Sequence, residues 1–466
     1  MRVQLNLSEN LKKIMSALSA EDHTVHVVGG AVRNTILGYP VKDYDLATSA
    51  SPTAVAVICG DVGMEVVPTG IDHGTVTVVC GGEAFEVTTW RRDVATDGRR
   101  AVVAFAETIE EDAQRRDFTM NALYADIEGN VTDPTGQGVL DIEARRLRFI
   151  GDADARIRED YLRIMRYFRF MSQFGFVFED DADFRACQTH MSSLATVSKE
   201  RLGAELLGIL KGQSWARSLS RFQETCGLHH IMPRSHQYLV EGSFEKPMKA
   251  LHWAFAQMGV APQPAAILAV ITDRSPKDEL RLSKALADDV ETVRDYKYSH
   301  MDAMSLGHFL GFEKACSVLA ARRAEIGAPS PHDKSCAPEA ARAAYGAMQV
   351  FPVRAADLMP EFTGPALGAE LRRQRKAWAA AGCCLPEDEP QDVVFGARVL
   401  GNLHSRVSVQ FENFGPVSIA SGCLNEFAPS FVTAQRADVE AAHTLQMEEY
   451  AALRAAPSVS FTSGDF

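Results

Sequence analysis

The stretch that most constrains this chain is residues 25–48, VHVVGGAVRNTILGYPVKDYDLAT. A short apolar run at its start predicts a β-strand, and Gly29 and Gly30 follow directly, before the predicted start of a helix that contains Arg33. Glycine lets a backbone approach a phosphate closely, and a helix N-terminus presents free N–H groups to an anion. The first half of the stretch therefore predicts a phosphate-binding turn.

Two aspartates lie in the second half of the stretch. Asp43 and Asp45 are two residues apart, and in a strand their side chains would share one face, with backbones about 6–7 Å apart. Two carboxylates this close repel each other unless a cation lies between them, and Mg²⁺ prefers a few carboxylates together with waters and substrate phosphates. An isolated Asp-x-Asp is more often a solvated turn, but after GGAVR at this spacing it predicts a magnesium–triphosphate site.

The two features together resemble a known motif. Gly-Gly-x-Val-Arg, followed about ten residues later by Asp-x-Asp, is similar to motif A of the class II tRNA nucleotidyltransferase and bacterial poly(A) polymerase family. One position departs from the commonest form of that motif, because Asn34 stands where an aspartate often follows the arginine. The resemblance implies template-independent addition of nucleotides to RNA 3′ ends, with Asp43 and Asp45 as catalytic metal ligands and Arg33 beside the glycine pair at the nucleotide.

Composition places few further limits. The chain has 466 residues, 46% of them hydrophobic and 23% charged, which is ordinary for a globular protein of roughly three domains. Its formal net charge of −13 requires that any RNA-binding basic residues be concentrated on one surface.

Nine cysteines without a CxxC pair argue against a zinc site and a disulfide framework, and favour a cytoplasmic location. We expect no membrane association, since the sequence has no signal-peptide core near its start and no apolar run of roughly 20 residues.

Residues 1–150 predict an α/β catalytic head, a mixed sheet of about five strands with helices. A helix is expected over 7–19, with Ser8 as its N-cap, and strands are expected at residues 25–28, 44–47, 65–68, 75–80 and 84–90. Glu86 is the candidate for a third catalytic carboxylate, as in two-metal phosphoryl transfer, or else a side chain on a solvated strand face. Residues 91–105, rich in charged and turn residues, predict a mobile loop. In the family, the corresponding loop helps the enzyme to switch between nucleotides.

A second motif follows the predicted loop. Residues 115–122, RRDFTMNA, resemble motif B of the same family. This resemblance implies that Arg116 contacts the triphosphate, as a guanidinium can, and that Asp117 and Asn121 lie around the ribose and discriminate the 2′-hydroxyl. Asp117 and Asn121 are four residues apart and are expected on one helical face. The alternative is a helix cap with charge pairing across one turn.

Residues 156–175, RIREDYLRIMRYFRFMSQFG, predict one amphipathic helix that ends at Gly175. Its EDxxR segment, from Glu159 through Asp160 to Arg163, resembles the family's base-recognition motif. A carboxylate can accept a proton of the exocyclic amino group that cytosine and adenine share, while a guanidinium meets a ring nitrogen or carbonyl, so the pair would accept CTP and ATP. The alternative is an intrahelical ion pair of about 0.3–0.5 kcal/mol. Further nucleotide contacts are expected from the next two arginines at the same spacing, Arg166 and Arg169.

The rest of the chain is predicted to be mostly helical. We expect a neck with the base-recognition helices at residues 151–205, a body at 206–330 and a tail at 331–384 that contacts tRNA. The candidate phosphate contacts of the tail are four basic residues, which could equally form a solvated helix face: Arg372, Arg373, Arg375 and Lys376.

The C-terminal extension, residues 385–466, carries no motif that indicates its role. Within it, residues 407–411 alternate as in a strand, and residues 434–455 predict a helix. Two further segments, 330–338 and 386–392, have the composition of linkers.

These features predict a template-independent nucleotidyltransferase that uses CTP, ATP and tRNA, with Mg²⁺ as cofactor, to build or repair the tRNA 3′-CCA end. In the expected reaction the RNA 3′-hydroxyl attacks the α-phosphorus in line and pyrophosphate leaves. The motifs leave open a poly(A) polymerase on the same fold and an enzyme that adds only C or only A. A small-molecule nucleotidyltransferase would not need a base-recognition motif. A catalytically silent RNA-binding paralogue would have no physical reason to keep two repelling carboxylates.

Overall fold

The computed structural model describes residues 1–97, 100–176, 182–234, 244–326, 336–383, 397–403, 406–411 and 416–420. The chain divides into two compact units, the first formed by Met1–Leu239 with Thr272–Lys284 and the second by Val240–Ile271 with Ala285–Phe466. The expected fold class is confirmed, since a mixed sheet with helices in the N-terminal part precedes a mostly helical remainder. The finer boundaries of head, neck, body, tail and extension stay predictions. Among the described helices, none is both long and apolar enough to cross a membrane.

The secondary structure follows the expected pattern closely in the head. The described strands are β1 (Val25–Val28), β2 (Asp45–Thr48), β3 (Glu65–Gly70), β4 (Thr75–Cys80), β5 (Glu83–Thr89), β6 (Arg91–Asp97), β7 (Arg100–Phe105), β8 (Tyr124–Ala125), β9 (Val131–Thr132), β10 (Ala397–Leu403), β11 (Arg406–Phe411) and β12 (Pro416–Ala420). The described α-helices are α1 (Glu9–Ala20), α2 (Gly30–Leu37), α3 (Pro52–Asp61), α4 (Ile109–Gln114), α5 (Gly138–Glu143), α6 (Ala153–Glu159), α7 (Leu162–Phe174), α8 (Ala182–Thr189), α9 (Lys199–Leu210), α10 (Trp215–Glu224), α11 (Gly227–Ile231), α12 (Glu245–Met258), α13 (Pro264–Ile271), α14 (Lys277–Leu280), α15 (Lys284–Lys297), α16 (Ala303–Leu310), α17 (Phe312–Ile326), α18 (Ala337–Met348) and α19 (Gly364–Ala380). All five expected head strands are present, and α1 begins after Ser8, whose Oγ accepts the N–H of Leu11 at 3.2 Å.

Seven strands form the sheet of the first unit, in the order β3-β4-β5-β2-β1-β8-β9. β2 and β5 are parallel, with Leu46 opposite Val87, and the other neighbouring strands are antiparallel. β8 and β9 go beyond the expected five, because strands of two residues are too short to show alternation in a sequence. The pairing of Val28 with Asp45 places the turn after β1 beside the start of β2. The sheet therefore brings together the two halves of the motif that opens the head.

The expectation that residues 91–105 form a loop is wrong, whereas the mobility of this segment and its role in switching between nucleotides stay predictions. This segment contains two antiparallel strands, β6 and β7, with Arg91 opposite Phe105. The register pairs Asp97 with Arg100, which leaves two residues between the strands. The first of them is Gly98, and a two-residue connection that begins with glycine is a hairpin signal in a sequence. The density of charge had obscured that signal. Residues 98–99 lie outside the described part of the chain.

The single helix expected over residues 156–175 is also wrong, since the segment contains α6 and α7 with a break between them. Asp160 has an extended backbone, with φ −154° and ψ 104°, and its Oδ1 accepts the N–H of Leu162 at 3.1 Å. An aspartate can thus satisfy an orphan N–H at the start of the second helix, which an uninterrupted hydrophobic stripe does not reveal. The expected end is confirmed, because Gly175 caps α7 in the left-handed conformation.

In the second unit, α12 and α13 pack against α17, and α16 packs against α18. Two glycines lie where α16 and α18 cross: a Cβ on Gly307 would lie 1.9 Å from the carbonyl oxygen of Ala343, and one on Gly346 would lie 1.9 Å from that of Met304. The two helices therefore approach at a distance that only glycine permits.

Three strands, β10 to β12, form an antiparallel sheet near the C-terminus, which confirms the strand expected at residues 407–411. The helix expected at 434–455 and the linker expected at 386–392 lie outside the described residues. So does most of the linker expected at 330–338, although α18 already begins at Ala337.

We expect Gly307→Ala to lower the free energy of unfolding by about 1–3 kcal/mol, because the added methyl group would force α16 and α18 apart. Denaturant unfolding measures this change. The matched control is Gly368→Ala on α19, where a Cβ would contact only the end of the Arg372 side chain at 3.4 Å. That control should be neutral or stabilising by up to about 1 kcal/mol. Equal stability of the two variants would contradict the close crossing.

Candidate active site

The first unit contains a cavity of about 830 Å³ at the end of β1, which is large enough for a nucleotide. Twelve of the predicted site residues line it, and they come from the glycine turn, the segment before β2, the second motif and α7. They are Gly29, Gly30, Arg33, Asp43, Asp45, Arg116, Asp117, Asn121, Asp160, Arg163, Arg166 and Arg169. Glu86 and Glu159 are not among the lining residues. The fold thus gathers around one volume most of the residues that the three motifs nominate.

The turn after β1 requires glycine. Gly29 has φ +67° and ψ −116°, a conformation that side chains rarely adopt, and a Cβ there would lie 3.4 Å from the carbonyl oxygen of Asn121 and 3.5 Å from Nη1 of Arg116. Its N–H donates to the carbonyl oxygen of Leu123 at 2.9 Å, which ties the turn to the second motif. Gly30 then begins α2, whose first N–H groups lie at the cavity wall.

The two aspartates lie at the cavity wall, but they do not share a strand as expected. β2 begins at Asp45, so Asp43 belongs to the preceding segment. The parallel pairing of β2 with β5 brings Glu86 beside Asp45. Partial removal of water by the cavity walls, followed by the negative charges of Glu86 and Asp43, raises the pKa of Asp45. Carboxylates that repel each other in this way favour a cation between them.

A pair of carboxylates with solvent access fits a divalent metal ion that also binds substrate phosphates. Within the described ranges, no three His, Cys, Asp or Glu side chains are close enough to hold a metal ion by themselves. The role of Glu86 as a third carboxylate stays a prediction, because its side chain is exposed outside the cavity lining.

A chain of hydrogen bonds runs along one wall of the cavity. Nη1 of the buried Arg33 donates to Oδ1 of Asn121 at 2.5 Å, and Nδ2 of Asn121 donates to Oδ1 of Asp117 at 2.9 Å. Asp117 in turn accepts from Nε of Arg166 at 2.7 Å. Burial alone would raise the pKa of Asp117, but the Arg166 charge and the bonds from Asn121 and from the N–H of Phe118 lower it. Asp117 is therefore a stable anion that joins the second motif to α7.

The expectation that Asp117 and Asn121 share a helical face is wrong, although the two side chains meet. The backbone turns through one short 3₁₀ segment, Thr119–Asn121, instead of an α-helix. The hydrogen bond between the two side chains therefore arises from a turn and not from helical spacing.

Asp112 is a site residue that motif comparison does not reveal. It lies within α4 with its side chain 1% exposed. It accepts from Nη2 of Arg116 at 3.0 Å, Nε of Arg115 at 2.8 Å and the hydroxyl of Tyr124 at 2.6 Å. Burial alone would raise its pKa, but Arg116, Arg115 and the Tyr124 hydroxyl lower it to about 2. Because Arg115 and Arg116 both line the cavity, Asp112 holds two cavity cations in place. Its spacing of three and four from these arginines is the sequence signal that could have indicated this.

In the EDxxR segment, Asp160 and Arg163 are not paired with each other, and their expected role in base recognition stays a prediction. Arg163 donates to Glu159 and to the carbonyl oxygen of Arg156, while Asp160 accepts from Nη2 of Arg201 at 2.6 Å. Asp160 and Arg163 both line the cavity, but each has another partner. Arg201 belongs to α9, some forty residues away, and no local pattern marks it.

The remaining two arginines of α7 are held from the same distant helix. Nε of Arg169 lies 2.6 Å from Oε2 of Glu205, and Nη1 of Arg166 lies 3.7 Å from Oε1 of Glu205. Glu205 lies on α9 and does not line the cavity. The face that α7 presents to the cavity therefore depends on α9.

The four basic residues expected in the tail lie on α19, in the second unit, and are all exposed: Arg372, Arg373, Arg375 and Lys376. Arg373 is paired with Glu370 at 2.6 Å, and Nε of Arg375 donates to Nε2 of His308 at 2.7 Å. Their exposure is compatible with phosphate contacts, and a role in binding tRNA stays a prediction.

Comparison with known proteins gives consistent matches. Residues 25–148 match the family described as "Poly A polymerase head domain". The CCA-adding enzyme of Geobacillus stearothermophilus is 35% identical over 328 residues, which are 68% of this chain and 78% of that protein. The CCA-adding enzyme of Geobacillus thermodenitrificans is 42% identical over 222 residues, 47% of this chain, and the match spans only 53% of that protein's length. The crystal structure of the Bacillus stearothermophilus CCA-adding enzyme in complex with CTP has a TM-score of 0.61 at 27% identity, and the match covers 80% of this chain and 94% of that one.

We expect Asp112→Asn to lower the free energy of unfolding by about 2 kcal/mol at pH 7, because the depressed pKa of Asp112 reports that much stabilisation of its charged form. The stabilisation is complete above the unfolded pKa near 3.8 and is lost as the pH falls through about 2. Denaturant unfolding should therefore show a difference between wild type and variant at pH 7 that shrinks between pH 4 and pH 2. A difference independent of pH over that range would contradict this assignment.

Proposed function

The chain belongs to the family of CCA-adding enzymes, and we propose that it adds CMP and AMP to the 3′ end of tRNA from CTP and ATP, with release of pyrophosphate. The observation that carries the proposal is the single cavity that gathers two carboxylates, a glycine turn with two arginines, and the EDxxR side chains. These are the parts that a template-independent nucleotidyltransferase needs: metal ligands, a phosphate cradle and a base reader. A cytoplasmic location is part of the proposal and rests on the scattered cysteines.

In the proposed mechanism, Asp43 and Asp45 would hold Mg²⁺. When bound, this metal would lower the pKa of the RNA 3′-hydroxyl and neutralise charge on the triphosphate. The chain's own cations complete the site. Arg33 and Arg116 bind the phosphates, and the backbone N–H groups at Gly30 and the start of α2 face the same anion. In-line transfer would require the RNA 3′-hydroxyl to approach the α-phosphorus from the side opposite the leaving pyrophosphate.

Base selection is proposed to use Asp160 and Arg163. Arg201 holds the Asp160 carboxylate and Glu159 holds the Arg163 guanidinium, so both side chains have a defined direction at the cavity wall. The carboxylate would accept from the exocyclic amino group that cytosine and adenine share, and the guanidinium would donate to the ring. Asp117 and Asn121 would lie beside the ribose, as the resemblance implies.

A poly(A) polymerase is the second candidate, because the matched head family takes its description from that activity. The same cavity could also serve an enzyme that adds only C or only A. One experiment separates these functions. A tRNA transcript that ends before its CCA is incubated with Mg²⁺ and with each nucleotide alone and in combination, and the products are separated on a sequencing gel.

Addition of two C and then one A, followed by a stop, is the expected result. A ladder of A would assign the protein to the poly(A) polymerases, and a single C or A step would indicate a divided activity. If tRNA were bound without any addition, the chain would be a silent RNA-binding paralogue.

We expect Asp45→Ala to reduce nucleotide incorporation at least about a hundredfold, because one of two metal-binding carboxylates is lost. Binding of tRNA, measured by gel shift, should stay within about twofold of wild type. Asp61→Ala is the matched control, since Asp61 is exposed at the end of α3 and does not line the cavity. Near-normal turnover of Asp45→Ala would refute the metal role.

We expect Arg163→Ala to relax nucleotide choice, with the ratio of kcat/KM for CTP over UTP falling about tenfold, because the donor that meets the base is removed. Single-nucleotide incorporation measures the ratio. Arg158→Ala, which removes an exposed arginine of α6 outside the cavity, should leave it unchanged. If Arg163→Ala lost only thermal stability and kept its selectivity, Arg163 would serve the Glu159 ion pair alone.

A further inference from the structure

Arg33 is a buried cation whose side-chain hydrogen bonds go to uncharged groups. Its residue surface is 6% exposed, yet it lines the cavity. Nε and Nη2 donate to Oδ1 of Asn34 at 3.1 and 2.8 Å, and Nη1 donates to Oδ1 of Asn121 at 2.5 Å. Both acceptors are neutral amides. The direction of the Asn34 amide is set by its other end, because Nδ2 donates to the carbonyl oxygen of Pro40 at 3.1 Å.

Two aromatic rings complete the surroundings of Arg33. Its guanidinium carbon lies 4.7 Å from the ring centre of Phe174 and 5.2 Å from that of Phe170, both on α7. A ring face attracts a cation through its quadrupole but carries no net charge. The rings therefore orient the guanidinium without neutralising it.

The charge of Arg33 is offset by Asp117 through space and not by a direct ion pair. Among the described residues, no carboxylate lies within ion-pair distance of its guanidinium, and the nearby Asp117 is hydrogen-bonded to Arg166 and Asn121. Arg166 and Arg169 add positive charge to the same wall. Burial lowers the pKa of Arg33 to about 10. The charge of Asp117 opposes this shift, and the charges of Arg169 and Arg166 add to it. Such a cation is costly to bury unless an anion joins it.

We infer that Asn34 and Phe174 are positioning residues that hold Arg33 through uncharged contacts, so that its full charge is kept for the nucleotide triphosphate. The identity of the anion rests on the proposed function. The departure of Asn34 from the aspartate common in this motif then has a physical meaning. An amide oxygen directs the guanidinium as a carboxylate would, but it does not compete with phosphate for the charge.

The first test is Asn34→Asp, which replaces the amide by a carboxylate of nearly the same shape. The new ion pair should raise the thermal midpoint and weaken the binding of CTP and of inorganic tripolyphosphate by a similar factor, about fivefold. Both affinities are measured by calorimetry on the full chain without added divalent metal, so that only protein groups hold the anion. Asn6→Asp, which adds the same charge at an exposed position outside the cavity, is the control and should change neither affinity.

The second test is Phe174→Leu, because Phe174 contacts Arg33 without lining the cavity itself. We expect about a fivefold loss of tripolyphosphate affinity, with tRNA binding unchanged, and recovery in Phe174→Tyr, which keeps the ring. Phe222→Leu is matched in chemistry and burial, since Phe222 is fully buried against Phe168 on the far side of α7 from the guanidinium. It should lower the thermal midpoint as Phe174→Leu does, but should leave tripolyphosphate affinity unchanged.

Two results would overturn the inference. One is a tripolyphosphate affinity that Asn34→Asp leaves unchanged while the thermal midpoint rises, which would make the contacts of Arg33 structural only. The other is a change in the preference for CTP over ATP with no change for tripolyphosphate, which would assign Arg33 to the base. Failure of the proposed function is distinguishable, because wild type would then bind tripolyphosphate and respond to these variants without extending tRNA.

Discussion

Mutual repulsion among arginines is the constraint on which the cavity of the first unit depends. Six guanidinium groups line it, in a chain whose formal net charge is −13. Five of the six are held by carboxylates that lie behind the cavity wall or within it: Asp112, Asp117, Glu159 and Glu205. Each carboxylate offsets one or two positive charges and also fixes the direction of the guanidinium. The excess of acidic residues is therefore compatible with a phosphate site, because some of these carboxylates reduce the repulsion among the arginines that line the cavity.

These ion pairs also connect elements that are distant in the chain. Arg166 joins α7 to the second motif through Asp117, while Glu205 and Arg201 join α9 to α7 and to Asp160. Arg156 adds a backbone link, since its Nη2 donates to the carbonyl oxygens of Arg115 and Arg116. The helix proposed to read the base and the arginines proposed to bind phosphate thus belong to one hydrogen-bonded body, and side chains that touch no ligand set the directions of those that do.

The head could be predicted well from the sequence because its signals are local. Strand alternation located the central strands, and the three motifs nominated side chains that the fold brings to one cavity. What the sequence did not reveal is of two kinds. Some contacts, such as those of Arg201 and Glu205, join residues with no shared pattern, and only the packing of α9 on α7 brings them to the site. Other features had a local sequence signal that a stronger pattern outweighed. A continuous apolar stripe predicted one helix across the break at Asp160, and a high density of charge predicted a loop where the paired strand begins at Arg91.

The position of Asn121 has a thermodynamic consequence. Its amide has one acceptor and one donor end, and these bind Arg33 on one side and Asp117 on the other. Asp117 also accepts from Arg166. A ligand that binds Arg33 would therefore change the hydrogen bonds of Asp117, and a ligand that binds beside Asp117 would change those of Arg33. Binding free energies at the two ends are then linked, and reciprocity requires the linkage to have the same magnitude in both directions. In the proposed function Arg33 binds the phosphates and Asp117 lies beside the ribose. Occupancy of the phosphate end would then change the affinity for the ribose, and the ribose would change the affinity for the phosphates by the same factor.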